Sequence, residues 1–474
     1  MNDTGTQALY EKRIPIYPRS VQGRFRSLKW GILAFAYGVY FLLPWLPWSR
    51  ELGPNHAVVF DITSRRFYLF DLVVHAQDIM WLAGLLLIAA LLLFFVTGLA
   101  GRVFCGYFCF QTLWTDLYVL IERLVQGERP ARIRLDKQPW NGEKVFKKSA
   151  THALWLLTAF WTGITFTFYW AEAPQLLVDF FTGRAPFPAY ATTLFLTATT
   201  YVMAGLAREQ VCTYMCPYAR FQSVMFDRDT LVVAYDEARG EGTQGRQKIR
   251  TGFKTREERQ QQGVGDCIDC GYCVQVCPTG IDIRNGLQYQ CISCALCIDA
   301  CDTIMDNLGW PRGLIKYTSE REQQGGTTRR LNAKNIGYGV TLVVATLALI
   351  WSVVHQVKLD ASVSQIRNPL FVVLSDGRVQ NSYEIKLNNK TSQLMVFELE
   401  LNGLPGAELD LGRLEMIEVP PERSLRIMAR VRLDEEGEHQ AARGFEFVIR
   451  PLQGPSDLGT VRQSATFHIP GRGQ

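Results

Sequence analysis

Eight of the twelve cysteines lie in two copies of one short pattern. The first copy consists of Cys267, Cys270, Cys273 and Cys277, and the second of Cys291, Cys294, Cys297 and Cys301. Three thiolates separated by two residues can ligate three irons of a cubane, whereas the fourth, after a three-residue gap, ligates the other cubane. The pattern therefore predicts two [4Fe-4S] clusters, one held by Cys267, Cys270, Cys273 and Cys301 and the other by Cys291, Cys294, Cys297 and Cys277.

Zinc and disulfides are the alternatives for so many thiols. Structural zinc sites use two separated CxxC pairs, and disulfides need an oxidising compartment. Two complete four-thiolate runs favour iron over both. Pro278 follows the first run and should turn the chain away, while Asp302 at the matching place is expected to leave the second turn looser.

The other four cysteines form two CxxxC pairs, Cys105 with Cys109 and Cys212 with Cys216. On a helix, this i,i+4 spacing places both thiols of a pair on one face. The two pairs could converge on one ion, and soft thiolates select Cu(I) among the plausible metals. The structural alternative is that these are small buried thiols at helix ends.

Long apolar runs indicate the elements that position these cysteines. The chain has 474 residues, many more than a two-cluster module needs. Of these residues, 48% are hydrophobic. Runs of about twenty apolar residues can cross a bilayer. Five such spans are predicted, at Leu28 to Trp48, Ile79 to Ala100, Ala150 to Trp170, Tyr190 to Leu206 and Ile336 to Val354.

Charge in the connecting segments orients these spans. Basic residues are concentrated before the first span and between the second and third, which places those segments in the cytoplasm. All twelve cysteines precede residue 302, consistent with reduced thiols on the cytoplasmic side. The predicted order is a cytoplasmic tail (1–27), four transmembrane helices with both CxxxC pairs (28–220), a cytoplasmic ferredoxin-like two-cluster domain with linkers (221–335), a fifth transmembrane helix (336–354) and a periplasmic domain (355–474).

The C-terminal segment has the alternation of half-buried strands, as in Tyr383, Ile385 and Leu387. Several short strands joined by turns indicate an all-β, immunoglobulin-like sandwich. Met395, Met416 and Met428 are expected to pack in its core rather than bind copper. The predicted fold is thus a multi-domain membrane protein, with a five-helix transmembrane bundle, a cytoplasmic ferredoxin-like insert and this sandwich.

These motifs together resemble the CcoG family, also called FixG or RdxA, of accessory proteins for cbb3-type cytochrome c oxidases. The resemblance rests on the five spans, Cys105 to Gln111, Cys212 to Pro217, the paired cysteine runs and the cysteine-free tail. It implies a cupric reductase of the bacterial inner membrane that supplies Cu(I) during oxidase maturation, with copper as substrate or bound ion. It also implies that the copper is handled by Cys105, Cys109, Cys212 and Cys216.

The same resemblance implies the partners, which are the lipid bilayer, copper, a cytoplasmic electron donor, and a copper chaperone or oxidase subunits. The CxxxC pairs and clusters are also similar to those of membrane subunits that oxidise quinols, although Phe110 stands where those proteins usually have proline. A quinol-linked electron-transfer subunit and a non-enzymatic assembly scaffold therefore remain alternatives. The net charge of +5 is attributed to membrane orientation, and no nucleic acid is predicted as a partner.

Overall fold

The computed structural model describes residues 15–469 apart from 51–52, 76–77, 251–253, 356–358, 392, 413, 415, 422, 435–441 and 455–458. The first 14 residues of the predicted cytoplasmic tail and the last five of the predicted periplasmic domain lie outside the described residues. The chain divides into two compact units, Met1–Leu349 and Ile350–Gln474.

Helices dominate the first unit. In chain order they are α1 (Arg24–Leu42), α2 (Ile79–Ala100), α3 (Val103–Tyr107), α4 (Phe110–Gln126), α5 (Arg129–Lys137), α6 (Gly142–Phe168), α7 (Ala173–Phe181), α8 (Phe187–Thr200), α9 (Pro217–Val224), α10 (Glu237–Glu241), α11 (Arg256–Gln261), α12 (Tyr272–Gln275), α13 (Leu296–Leu308), α14 (Glu320–Gln323) and α15 (Ala333–Val354). Two π-helical segments, Tyr201–Ala207 and Val211–Met215, connect α8 to α9.

Each of the five predicted spans overlaps a helix, namely α1, α2, α6, α8 and α15, although the fourth span continues past α8 into the π-helical segment Tyr201–Ala207. Within the described residues, three helical stretches are long and apolar enough to cross a bilayer: Arg24–Trp45, Ile79–Ala100 and Ala333–Val354. The five-helix bundle therefore remains a prediction for the two others, α6 and α8.

Helices α6 and α8 pack against each other through small and hydroxylated residues, and α8 has only 14 residues before the π-helical segment begins. A Cβ atom on Gly163 of α6 would lie 2.6 Å from the Thr193 carbonyl oxygen of α8, so the two backbones approach closely. Thr162 and Thr197 are buried nearby, and their hydroxyls donate to the carbonyls of Thr158 and Thr193. Small and hydroxylated residues at a close helix contact are typical of packing between membrane helices, yet they lower the hydropathy of each helix.

Strands form four sheets. They are β1 (Val58–Asp61), β2 (Arg66–Leu69), β3 (Leu72–His75), β4 (Val232–Tyr235), β5 (Ile315–Thr318), β6 (Leu359–Gln365), β7 (Val372–Val373), β8 (Val379–Asn389), β9 (Met395–Asn402), β10 (Glu408–Asp410), β11 (Ile417–Val419), β12 (Ser424–Leu433), β13 (Ala442–Gln453) and β14 (Val461–His468). Sequence reasoning missed the antiparallel sheet β1-β2-β3, which follows α1 and whose Phe60 N–H donates to the Tyr169 carbonyl. Strand β4 pairs with β5 beside the cysteine runs.

The second unit is a sandwich of two antiparallel sheets, as predicted. One sheet has the order β10-β12-β8-β6 with β7 beside β8, and the other has the order β11-β9-β13-β14. Alternate residues such as Tyr383, Ile385 and Leu387 are fully buried between them. The expectation for the methionines is confirmed only for Met395, since Met416 and Met428 are exposed on the surface.

Candidate functional site

The two cysteine runs share one backbone geometry. In the first run Asp269 and Gly271 have positive φ, of 50° and 64°, and in the second Ser293 and Ala295 take φ values of 52° and 60°. These residues occupy matching positions, and the left-handed turn at the second of them begins α12 in one run and α13 in the other. The repeat seen in the sequence is therefore a repeat of the fold.

The two helices then differ in length. Helix α12 ends at Gln275, before Pro278, because proline cannot continue a helix. Asp302 imposes no such stop, and α13 continues through Cys301 to Leu308. The expectation of a looser second turn was therefore wrong, since the segment that contains Asp302 is regular helix.

Two separate cavities lie at the cysteine runs, and their walls have the thiol sets predicted from the spacing. The first cavity is lined by Cys267, Cys270, Cys273 and Cys301. The second is lined by Cys291, Cys294, Cys297 and Cys277, with Cys273 also at its border. Each cavity has the four soft ligands that a [4Fe-4S] cluster requires, so the residues present fit two clusters with crossed ligation.

The cavities are largely apolar, and this burial raises the pKa values of several of their thiols. Burial raises the pKa of Cys273 to about 12 and that of Cys294 to about 12. A metal ion reverses this effect, since a coordinating thiol loses its proton outright. Among the described residues, no three Cys, His, Asp or Glu side chains gather closely enough for one metal ion. This holds for the two cysteine runs and equally for Cys105, Cys109, Cys212 and Cys216.

The surroundings of the two cavities are unlike each other. All twelve cysteines are among the described residues, and only Cys270, in the first run, is exposed. Its counterpart Cys294 is buried, and the Cys294 carbonyl accepts a hydrogen bond of 3.1 Å from the Tyr107 hydroxyl. A Cβ atom on Gly106 would lie 2.7 Å from the Ile292 oxygen and 2.9 Å from the Cys294 Cα. The CxxxC motif of α3 thus packs directly against the second run.

Neither CxxxC pair lies on one continuous helix, which corrects the i,i+4 expectation. Cys105 is in the short helix α3, whereas Cys109 has an extended backbone (φ −65°, ψ 130°) and starts α4. Cys212 is in a π-helical segment, and Cys216 is likewise extended (φ −80°, ψ 109°) and starts α9. The two pairs therefore have the same local design, although Phe110 follows one and Pro217 the other.

Hydrogen bonds join the two pairs. The Cys105 thiol donates to the Gln222 side-chain oxygen (3.1 Å), and Gln222 is a fully buried residue of α9. The Gln111 amide of α4 donates to the Arg208 carbonyl (3.1 Å), just before Cys212. Burial raises the pKa of Cys212 to about 12, and Cys109, Cys105 and Cys216 raise it further through their negative charge. The Cys212 thiol therefore lies within electrostatic range of the other three CxxxC thiols.

Arg102 lies between the CxxxC pairs and the second run. It is only 2% exposed, it donates to the Tyr289 carbonyl, and its Nε has no hydrogen-bond partner among the described residues. Burial raises the pKa of Cys105 to about 11 and also raises that of Cys291, and in each case the Arg102 charge opposes the rise. A buried cation is costly unless negative charge lies near it, and these thiols supply such charge when they bind metal.

The second run is also joined to α1. The Asp299 carboxylate of α13 accepts hydrogen bonds from the backbone N–H groups of Phe25 (3.2 Å) and Arg26 (2.7 Å). These groups belong to the first turn of α1, where N–H groups lack partners within the helix. Asp299 thus acts as an N-cap for a helix far away in the sequence.

Sequence reasoning missed Arg102, Gln222 and Asp299. Arg102 lies three residues before Cys105, and a lone arginine after an apolar run is indistinguishable from an ordinary interfacial residue. Gln222 and Asp299 act through contacts with residues more than 100 positions away. The sequence has no local signal for such contacts.

These features define a class, an iron–sulfur redox protein that is associated with a membrane. A family model described as a 4Fe-4S dicluster domain matches residues 207–320, one described as a 4Fe-4S binding domain matches residues 82–126, and one described as an IG-like fold at the C-terminus of FixG matches residues 349–470. The chain belongs to the FixG/RdxA family. This confirms the resemblance inferred from the cysteine motifs.

Three relatives cover most of the chain. Protein RdxB of Cereibacter sphaeroides is 45% identical over 86% of this chain and 86% of its own length. Protein RdxA of the same organism is 42% identical over 88% of each chain. Nitrogen fixation protein FixG of Rhizobium meliloti is 39% identical over 98% of this chain and 94% of its own length.

Proposed function

We propose that the chain reduces Cu(II) to Cu(I) at Cys105, Cys109, Cys212 and Cys216, with electrons from the cytoplasm, for maturation of a cbb3-type cytochrome c oxidase. The observation that carries the proposal is the packing of Gly106 on the backbone of Ile292 and Cys294. It brings a pair of soft thiols beside the ligands of the second cluster. The clusters, when bound, supply one-electron storage and transfer.

The direction of transfer follows from the different surroundings of the two runs. Cys270 is open to solvent, so electrons can enter at the first run. The second run is covered at Ile292 and Cys294 by Gly106 and Tyr107, so electrons can pass from it to the CxxxC pairs. Each electron converts one Cu(II) to one Cu(I), and no bond to carbon, oxygen or hydrogen has to form or break.

The copper chemistry depends on the four thiols and Arg102. Thiolates bind Cu(I) better than Cu(II), which raises the reduction potential of the bound copper. Arg102 supplies positive charge within range of Cys105, Cys212 and Cys291. Its charge lowers the cost of gathering thiolates in a buried place.

The proposed setting is the bacterial inner membrane, crossed by α1, α2, α6, α8 and α15, with the N-terminus in the cytoplasm and the C-terminal sandwich in the periplasm. The concentration of basic residues before α1 and between α2 and α6 supports this orientation. Released Cu(I) would pass to a copper chaperone or an oxidase subunit.

The test uses the full chain, purified anaerobically in detergent with both clusters reduced. Cu(II) is added, and cluster bleaching is followed together with Cu(I) formation, using a chromogenic chelator. Wild type should oxidise its clusters and form one Cu(I) per electron. Serine variants of Cys105, Cys109, Cys212 and Cys216 should keep their iron content and lose Cu(I) formation.

Thr213→Ala is the matched control, because it alters the same segment as Cys212 without removing a thiol, and it should behave as wild type. Equal copper turnover in the cysteine variants would contradict the proposal. Cluster reduction by a quinol in those same variants would instead favour the quinol-linked alternative.

A further inference from the structure

Arg208 has a backbone conformation that arginine rarely adopts. It lies between the two π-helical segments, just before the one that contains Cys212, with φ 45° and ψ −115°. A positive φ is unfavourable for residues with a Cβ atom, whereas glycine adopts it at little steric cost. Strained residues of this kind persist only where the surrounding contacts hold them, and they are frequent at functional sites.

The backbone of Arg208 is tied to helix α4. Its N–H donates to the Met203 carbonyl (2.8 Å), and its carbonyl accepts hydrogen bonds from the Val211 N–H (3.2 Å) and the Gln111 side-chain amide (3.1 Å). The same amide also donates to the Met203 carbonyl (2.8 Å). Gln111 therefore holds both ends of the turn at Arg208, and it belongs to the first turn of the helix that Cys109 starts.

The side chain of Arg208 makes three further contacts. Its Nε donates to the Gly205 carbonyl (2.8 Å), its guanidinium carbon lies 5.1 Å from the centre of the Trp155 ring, and a terminal nitrogen forms an ion pair with Glu122. Glu122 is a buried residue of α4 that also accepts a hydrogen bond of 3.2 Å from Arg132. Loss of one partner from a buried ion pair leaves the other charge uncompensated, so Glu122 keeps the Arg208 side chain in place.

Glycine at this position would adopt the left-handed conformation without strain, but it would make none of these side-chain contacts. The chain has arginine instead, and its side chain joins the turn to Glu122 of α4 and Trp155 of α6. Both Gln111 and Glu122 belong to the helix that Cys109 starts. The turn before Cys212 is therefore anchored to the element that carries the first CxxxC pair.

We propose that Arg208 is a positioning residue, which holds the Cys212 thiol beside the first CxxxC pair through its anchoring to α4. The proposal rests on the proposed function, because the four CxxxC thiols are the proposed copper site. In this role Arg208 neither binds copper nor carries an electron. It determines whether thiols on two separate segments can bind the same ion, and groups that orient metal ligands affect metal affinity without touching the metal.

The first test examines the proximity of the two pairs without copper. In the full chain with both clusters bound, Cys105→Ser with Cys216→Ser leaves one free thiol in each pair, because cluster ligation protects the other cysteines. Dibromobimane, a short reagent that alkylates two thiols, should then join Cys109 to Cys212. Adding Arg208→Gly should abolish most of this cross-link, whereas Arg208→Lys, which keeps the positive charge, should restore most of it.

The second test measures the affinity for Cu(I) with all four CxxxC cysteines present, by competition with a chromogenic chelator. Arg208→Gly should weaken binding at least about tenfold. Iron content and electron paramagnetic resonance check that both clusters are intact in every protein. Arg65→Gly is the matched control and should behave as wild type, because Arg65 also has a positive φ, of 56°, but lies exposed in the turn between β1 and β2.

The two tests separate the positioning role from the copper proposal. Wild-type cross-linking or wild-type Cu(I) affinity in the Arg208→Gly protein would overturn the positioning role, because the backbone conformation alone would then suffice. If the chain with native Arg208 forms the cross-link, Arg208→Gly abolishes it, and no protein reduces Cu(II), the positioning role stands and the proposed cupric reductase is contradicted.

Discussion

The two cysteine runs are nearly identical in backbone and opposite in surroundings. Both have left-handed residues at matching positions, Asp269 and Gly271 in one and Ser293 and Ala295 in the other. Yet Cys270 is exposed, whereas its counterpart Cys294 is buried beneath Gly106 and Tyr107. The repeat supplies the ligands for each cluster, and the proposed routes of electron entry and exit depend on the neighbouring elements.

The largest predicted effect comes from replacing, one at a time, the two cysteines that ligate the cluster of the other run. Cys277→Ser should remove the second cluster and Cys301→Ser the first, because Cys277 lines the second cavity and Cys301 the first. Electron paramagnetic resonance of the reduced proteins would show which cluster signal is lost. Loss of the first cluster's signal in the Cys277 variant would show that the ligands do not cross.

The same pair of variants should also differ in function. Dithionite-reduced Cys301→Ser protein keeps the cluster beside Cys105 and should still reduce Cu(II). Cys277→Ser protein should not. Equal loss in both variants would mean that copper reduction needs both clusters, rather than the second alone.

A second prediction concerns the packing of Gly106 against the second run. Gly106→Ala places a methyl group within 3 Å of the Ile292 and Cys294 backbone, and overpacking of this kind costs about 1–3 kcal/mol. We expect slower oxidation of the clusters by Cu(II), since the thiols move away from the second run. Gly142→Ala is the control, because nothing lies within 4 Å of its added Cβ.

Rapid-mixing absorbance measurements would give the rate for each glycine variant, with iron content as the check that both clusters are present. A wild-type rate in Gly106→Ala protein with full iron would show that this contact is not the electron exit.

A third prediction compares two arginines. Arg102→Gln should lower the reduction potential of the second cluster by about 60 mV, a tenfold change in equilibrium for one electron, because a buried positive charge favours the reduced form. Arg284 lies in the wall of the first cavity, but Asp282 and Asp269 neutralise it. Arg284→Gln should therefore shift the first cluster's potential much less.

Redox titration monitored by electron paramagnetic resonance would measure both potentials without any copper present. Arg102→Lys, which keeps the positive charge, should have a reduction potential for the second cluster close to that of wild type. An unchanged potential in the Arg102→Gln protein would show that the guanidinium does not act on the second cluster.

The sequence predicts the parts of this molecule whose signals are local. Cysteine spacing predicts the thiol sets of both cavities, and the alternation around Tyr383 predicts the sandwich. The apolar runs locate five helices, three of which are long and apolar enough to cross a bilayer, and the membrane crossing of α6 and α8 stays a prediction.

Features that depend on distant contacts could not be predicted. The packing of Gly106 on Ile292 joins residues far apart in the chain, and an i,i+4 spacing cannot reveal that the helix breaks at Cys109. Exposure of Cys270 and burial of Cys294 are likewise results of the tertiary fold.

The smallest predicted effect concerns the residues that precede the fourth cysteine of each run, Gln275 and Asp299. Asp299→Ala removes the carboxylate that caps α1 and should lower the free energy of unfolding by about 1 kcal/mol. Gln275→Ala should change it little, because the hydrogen bonds of Gln275 are made by its backbone, whose carbonyl accepts from the Arg19 N–H and whose N–H donates to the Gly271 carbonyl. Chemical unfolding, followed by the absorbance of the clusters, would compare the unfolding midpoints of the two variants. Equal midpoints would show that α1 keeps its position without Asp299, and that other contacts hold the second run against the membrane-side helices.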